Sequence, residues 1–109
     1  MTRQAFILDG AKADFREIRK NVKKQFGDFV WGEVNQEFKD AIKRISTHPL
    51  LGTCIDELGA FGYSNYRKTL VRQTRVIYEF DSQQVIIHMF IHTKRDFKTQ
   101  LEMRLFAPS

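Results

Sequence analysis

The sequence has little of what would place a protein outside the cytoplasm. It contains one cysteine, Cys54, in 109 residues, so an intrachain disulfide and a cysteine-ligated metal site are both excluded. Its N-terminal apolar run covers only residues 5–8, far shorter than the core of a signal peptide or a membrane-spanning helix. We therefore expect a cytoplasmic protein that has no membrane partner.

Motifs for metal, cofactor or nucleophilic chemistry are missing as well. The chain has no glycine-rich phosphate loop, no HExxH zinc site and no serine nucleophile elbow. Of its three histidines, His88 and His92 are four residues apart on a predicted strand, which separates them by about 13 Å, too far to share one metal ion. We expect neither a metal nor a cofactor.

Hydrophobic residues and basic charge are what the sequence does have. Hydrophobic residues make up 42% of the chain and include ten phenylalanines, enough for one packed domain over residues 1–109. The net charge is +5, with two basic segments, 1–27 and 63–109, on either side of an acidic one. This excess of positive charge favours an acidic partner, either a nucleic acid, a ribosome or a protein.

The first half of the chain has the periodicity of two helices. After a short predicted strand over 4–8, apolar residues recur every three or four positions in 10–26 and again in 29–46. Asp9 and Asp28 are predicted to cap these two helices, and Gly27 to end the first. So short a connection predicts an antiparallel helix hairpin, which requires a sheet to cover its apolar side.

The second half has the pattern of a sheet. Residues 48–64 contain Pro49 and several glycines, so we expect an irregular stretch with at most a turn of helix near 56–58. Three strands are predicted over 66–71, 75–80 and 85–92, with a turn at 81–84, and a short helix over 96–106. The predicted fold is α+β, with the order β-α-α-β-β-β and a helix hairpin on a small antiparallel sheet that the first strand joins at one edge.

A group of basic residues is predicted to converge at one end of this sheet, where it would bind a target; its members are Arg67, Lys68, Arg72, Arg75, Lys94 and Arg95, with Lys98 following. Guanidinium and ammonium groups bind phosphates and stabilise the charge that develops in phosphoryl chemistry. An alternative interpretation is a solvated sheet edge whose charges prevent aggregation. Tyr63 and Tyr66 would either stack on bases or anchor the preceding loop.

Several segments together resemble the ParE/RelE toxin superfamily, the plasmid-stabilisation type of toxin from type II toxin–antitoxin systems. They are HPLLG at 48–52, Arg67, RVIYEFD at 75–81 and VIIHMFIHTKRD at 85–96, and the likeness extends over nearly the whole chain. The resemblance implies a growth-inhibiting toxin that a cognate antitoxin neutralises by covering the helix hairpin and the basic end of the sheet. Operator DNA would then be bound only through the antitoxin.

The superfamily divides by target, and this division decides whether the chain is an enzyme. RelE-like members cleave messenger RNA on the ribosome, and for such an endoribonuclease the resemblance would assign catalytic roles to Lys68, Arg75, His92 and Arg95. Leu101, or its neighbour Gln100, stands where those enzymes have an aromatic acid or base.

That departure and the IHTKRD ending of the last strand are closer to ParE, whose target is DNA gyrase. Two alternatives remain open, namely a RelE-like endoribonuclease and an inactive toxin fold kept as a binding module. The strand register is open too, because a slip of one residue exchanges Arg67 and Lys68 between the faces of the sheet.

Overall fold

The computed structural model describes residues 2–55 and 66–106. Its elements are β1 (Gln4–Ile7), α1 (Asp9–Thr47), a short 3-10 helix (Pro49–Leu51), β2 (Thr53–Cys54), β3 (Tyr66–Val71), β4 (Thr74–Phe80), β5 (Gln84–His92) and α2 (Phe97–Phe106). The predicted turn of helix at 56–58 and Tyr63 lie outside the described residues. Within them, no helix combines the length and apolar character needed to cross a membrane.

The long helix α1 is a hairpin that bends at Gly27. Gly27 has φ 87° and ψ 176°, a region that essentially only glycine occupies. The ring centroids of Phe15 and Phe38 are 5.3 Å apart, whereas 23 residues of straight helix would separate them by about 35 Å. The two arms, 9–26 and 28–47, therefore fold back on each other, which confirms the predicted hairpin.

The predicted capping role of Asp9 is wrong, because the helix already includes this residue. Leu8 precedes the first turn, and no side chain caps it by a hydrogen bond. Asp9 instead places a carboxylate in the first turn, where the helix dipole favours negative charge. Asp28 follows the bend, and its carboxylate lies 3.7 Å from Lys23 Nζ.

The five strands form one sheet in the order β1-β5-β4-β3-β2. As predicted, β3, β4 and β5 form an antiparallel meander, and the first strand joins an edge. That edge pairing is parallel, with Gln4 opposite Gln84 and Ile7 opposite Ile87, which makes the sheet mixed. The stretch predicted as irregular contains an additional short strand, β2, which pairs with Arg67 and Lys68.

Both faces of the sheet are covered by apolar side chains. The hairpin α1 packs on one face through Trp31, Phe38 and their neighbours, against Val76, Tyr78 and Phe90 of the strands. On the other face, α2 places the completely buried Leu101 among a smaller cluster, whose buried members are Ile55, Tyr66, Ile77, Met89 and Ile91. Covering on both sides explains why most of β5 reads as a continuous apolar run.

Candidate functional site

Two of the predicted basic residues, Lys68 and Arg75, share a cleft on one face of the sheet. Lys68 pairs with Ile77, and Arg75 pairs with Leu70. Because paired residues on antiparallel strands point to the same side, the two cations lie on one face as neighbours across β3 and β4. They line a cleft of about 280 Å³, whose other lining residues are Leu51, Gly52, Thr53, Thr69, Leu70 and Thr93.

The lining of this cleft combines cations with exposed leucines. Lys68 and Arg75 are both half-buried, and charged hydrogen bonds are stronger when water is partly excluded. At its margin, Leu51 is 66% and Leu70 is 58% exposed, and Leu50 beside them is 67% exposed. Such a cleft can hold a carboxylate or a phosphate oxygen while the leucines contact apolar groups of the same partner.

The register places Arg67 on the opposite face from Lys68. Arg67 pairs with Tyr78, and its Nη1 donates a hydrogen bond of 2.7 Å to the carbonyl of Gly52. The Tyr78 hydroxyl donates to the carbonyl of Pro49 at 2.5 Å and accepts from the Gly52 amide at 3.1 Å. Burial raises the pKa of Tyr78, so its phenol stays protonated at neutral pH. These bonds hold the HPLLG turn that forms one side of the cleft.

Close approach explains the glycine in this turn. A β-carbon on Gly52 would lie 2.1 Å from the Tyr78 hydroxyl and 2.9 Å from the carbonyl of Lys68. Any side chain at this position would displace the turn from the sheet. The HPLLG segment can therefore pack against Tyr78 of the RVIYEFD segment only with glycine at position 52.

Arg72 lies away from the cleft, at the β3–β4 turn, where it has a φ of 54°. Its Nε and Nη2 donate to the Glu37 carboxylate of α1, the shortest of these bonds being 2.7 Å. The hydrogen bond from Arg72 lowers the pKa of Glu37, and the same bond raises the pKa of Arg72. Arg72 thus joins the strand hairpin to the helix hairpin.

His92 is the last residue of β5, Lys94 and Arg95 follow it, and none of the three is among the lining residues of the cleft. His92 pairs with Thr74, its Nε2 lies 3.1 Å from Gln73 Oε1, and its Nδ1 accepts a hydrogen bond from the amide of Lys94. Both ring nitrogens are therefore engaged at the turn. Arg95 lines a separate small cleft with Asp14, Gln100 and Arg104, and the side chain of Lys98 lies outside the described residues.

Of the two positions at which an aromatic acid or base is expected, Leu101 is a core residue and Gln100 lines the small cleft of Arg95. Leu101 is fully buried in the smaller apolar cluster, so it contributes to packing and not to the cleft. Of the four residues of the endoribonuclease prediction, Lys68 and Arg75 line the cleft, and His92 and Arg95 are not among its lining residues.

A second polar group on the sheet joins His88, Glu79 and Tyr66. His88 is buried and its Nε2 lies 2.7 Å from Glu79 Oε1, with the Tyr66 ring centroid 5.0 Å away. Burial of Tyr66 favours its predicted role as an anchor over stacking on bases. In the part of the chain that the structure describes, His, Cys, Asp and Glu side chains form no group that could hold a metal ion.

An ion pair between Asp14 and Arg104 lies along the edge of β5. β1 pairs with β5 only as far as Ile87. Beyond it, Asp14 Oδ2 accepts from the amide of Phe90 at 3.1 Å, and Arg104 Nη1 donates to the carbonyl of His88 at 3.1 Å. Asp14 and Arg104 bind each other at 2.7 Å. Their side chains thus bond to backbone groups of β5 that lie beyond its pairing with β1. The two residues are 90 positions apart, and no local pattern predicts their contact.

A groove runs beside α1. It measures about 480 Å³, and Ile7, Phe15 and Trp31 form its apolar floor. Lys12, Arg16 and Arg19 line it as well, with Asn35. Helical spacing places the three cations on one side of the first arm, which gives the apolar floor a basic rim.

Comparison with family models identifies the family of this chain. A family model described as the ParE toxin of the type II toxin–antitoxin system parDE matches residues 6–97. Among solved structures, a chain from "Chromosomal ParDE TA system from P. aeruginosa" is similar, with a TM-score of 0.67 over 85% of this chain and 98% of that one. At 10% identity, this likeness concerns the fold. No curated protein matches by sequence.

Proposed function

The chain belongs to the ParE toxin family of type II toxin–antitoxin systems, and from this premise we propose that it inhibits growth by binding DNA gyrase. We further propose that a cognate antitoxin neutralises it. The observation that carries the choice of target is the Lys68–Arg75 cleft, where two cations lie between exposed leucines. Leucine margins suit a protein segment that offers a carboxylate beside apolar side chains.

Binding is favoured over RNA cleavage because the cleft lacks a described acid–base pair. Cleavage requires one group that activates the ribose 2′-hydroxyl and another that protonates the leaving oxygen. Arginine and lysine stabilise charge, but they exchange protons poorly at neutral pH. The ring of His92 is bound to Gln73 and Lys94 at the turn, and Leu101 is in the core.

The antitoxin is best accommodated by the groove beside α1. Its apolar floor of Phe15 and Trp31 with a rim of Lys12, Arg16 and Arg19 complements an amphipathic segment that carries acidic residues. Opposite charges on the two surfaces would speed their encounter and set their register. This assignment places the antitoxin on the helix hairpin and leaves the Lys68–Arg75 cleft to the target.

The test is inhibition of DNA supercoiling by purified gyrase. We expect the wild-type protein to inhibit, and the double variant Lys68→Ala/Arg75→Ala to require at least about tenfold more protein, in the range lost with buried charged contacts at interfaces. Lys39→Ala is the matched control, because Lys39 is an exposed lysine of α1 that lines neither the groove nor the Lys68–Arg75 cleft. This variant should inhibit supercoiling like the wild type. Circular dichroism checks that each variant is folded.

Two results would contradict the proposal. Messenger cleavage on translating ribosomes by the wild-type protein, with supercoiling unchanged, would favour the endoribonuclease alternative. An absence of both activities, with normal growth after induction without antitoxin, would leave the inactive binding module.

A further inference from the structure

Two exposed phenylalanines, Phe26 and Phe29, stand at the tip of the α1 hairpin, and neither lines the groove beside α1 or the Lys68–Arg75 cleft. Phe26 is 63% and Phe29 is 82% exposed, and Phe29 is the most exposed large hydrophobic residue in the described part of the chain. Other phenylalanines of the protein, such as Phe15, Phe38 and Phe90, pack against one another in the core. A pair of large apolar side chains on one protrusion is typical of a surface that another molecule covers.

The two arms that carry these phenylalanines are packed against each other. Phe26 ends the first arm and Phe29 lies in the first turn of the second, on either side of the bend at Gly27. The arms are packed together through Phe15, whose ring centroid is 5.3 Å from that of Trp31. A protrusion that is already ordered loses little conformational freedom when it binds, which favours its use as an anchor.

The charges around the tip indicate the chemistry of the partner. Lys20 and Lys24 are exposed on the last turns before the bend, so carboxylates on a partner would complement them. Asp28 lies between Phe26 and Phe29 in the sequence; its side chain is 88% exposed, and its carboxylate is 3.7 Å from Lys23 Nζ. A nucleic acid would bring its phosphates against this carboxylate, whereas a protein pocket with carboxylates at its margin can avoid it. The tip therefore favours a protein over a duplex.

We propose that the tip formed by Phe26, Phe29, Lys20 and Lys24 inserts into an apolar, carboxylate-rimmed pocket of the target protein. This inference rests on the proposed function, in which the target is gyrase. Neither phenylalanine lines the groove assigned to the antitoxin, so the tip is a surface on which a different partner can bind. The toxin would then hold its target at two places, the tip and the Lys68–Arg75 cleft.

The experiment compares the double variant Phe26→Ala/Phe29→Ala with Met103→Ala, whose side chain is also 63% exposed but lies on α2. Binding of purified gyrase, inhibition of supercoiling and affinity for the antitoxin are measured for each. We expect the phenylalanine variant to bind and inhibit gyrase at least tenfold more weakly, with antitoxin affinity within about twofold of wild type. Met103→Ala should match the wild type in all three measurements.

Charge reversal tests the carboxylate margin separately. Lys20→Glu/Lys24→Glu should weaken gyrase binding severalfold more than Lys39→Glu/Lys43→Glu, which changes the same net charge on exposed positions of the second arm. Equal weakening by the two pairs would overturn the proposed chemistry of the pocket.

Inhibition and growth arrest by Phe26→Ala/Phe29→Ala equal to those of the wild type would overturn the tip proposal and leave the proposed function standing. If Phe26→Ala/Phe29→Ala binds gyrase like the wild type but loses affinity for a linear DNA duplex, the tip binds nucleic acid and the tip proposal is overturned. If the wild-type protein does not act on gyrase, the proposed function fails. In that case growth arrest tests the tip proposal. If Phe26→Ala/Phe29→Ala no longer arrests growth, the tip proposal is supported, and if the variant still arrests growth, the tip proposal is overturned.

Discussion

Tyr78 connects strand β4 to the HPLLG turn through its hydroxyl group. That hydroxyl donates to the carbonyl of Pro49 and accepts from the amide of Gly52, while the ring is fully buried in the main core. The Tyr78 side chain therefore packs in the main core and also holds the HPLLG turn by hydrogen bonds. Because the turn forms one side of the Lys68–Arg75 cleft, a residue outside the cleft determines its shape.

Replacing Tyr78 by phenylalanine should lower the free energy of unfolding by about 1–3 kcal/mol, the usual penalty for leaving buried polar groups unpaired. The pH dependence gives a second signature. Burial raises the pKa of Tyr78 in the folded state, so its contribution is complete below the unfolded pKa of about 10 and is lost as pH rises through the higher folded value. The free energy of unfolding, measured with urea between pH 8 and 11, should decline above pH 10, and the decline should be smaller in Tyr78→Phe than in the wild type. Equal declines in the two proteins would contradict this account.

At the scale of elements, the bend in α1 depends on its glycine. Gly27 divides one long helical sequence into two arms, and the return of the second arm brings Phe38 against Phe15 and the sheet. A helix that continued straight would expose these rings. Gly32 is a second glycine of the same helix, but its conformation is helical and nothing lies within 4 Å of an added β-carbon.

The two glycines should therefore respond to alanine with opposite signs. Gly27→Ala forces a side chain into a backbone region with positive φ, and we expect it to destabilise the protein by about 1–3 kcal/mol. Gly32→Ala removes an exposed helical glycine, and we expect it to stabilise by up to about 1 kcal/mol. Thermal and urea unfolding of both variants measure the difference, and destabilisation by Gly32→Ala would show that the helix is limited by something other than propensity.

For the whole molecule, the distribution of charge matters more than its total of +5. The first arm of α1 carries a basic rim along the groove, while Arg72 and Arg104 are bound to the carboxylates of Glu37 and Asp14. Cations that are bound internally fix the fold, and those on the rim remain directed to solvent. The first arm of α1 therefore presents a basic rim that can attract an acidic partner.

Association with an acidic antitoxin should slow as salt is added. Between 50 and 500 mM NaCl we expect the association rate constant in stopped-flow mixing to fall at least about tenfold, because screening shortens the range of the attraction. Arg16→Glu/Arg19→Glu should lower the rate at low salt and flatten this dependence. Lys39→Glu/Lys43→Glu changes the net charge by the same amount and should change the salt dependence of the association rate less. An equal salt dependence for the two double variants would contradict the assignment of the antitoxin to the groove.

The sequence by itself determined most of the elements and the resemblance to a family. The 3.6-residue and two-residue periods of apolar side chains predict the helix hairpin and the three-stranded meander, since these periods are local properties of the chain. The order of motifs from HPLLG to the closing strand was enough to identify the ParE/RelE resemblance. Cleft residues Lys68 and Arg75 were found among six basic candidates, because basic side chains on adjacent strands are visible in a sequence.

Only the tertiary structure decided how those candidates are divided. The register separates Arg67 from Lys68, and contacts across long stretches of sequence attach Arg72 to Glu37 and Arg104 to Asp14. The parallel pairing of β1 with β5 is equally invisible in the sequence. In each case the reason is the same: a periodic pattern states which face a side chain occupies within its element, whereas its neighbour across the sheet depends on which elements meet and in which register.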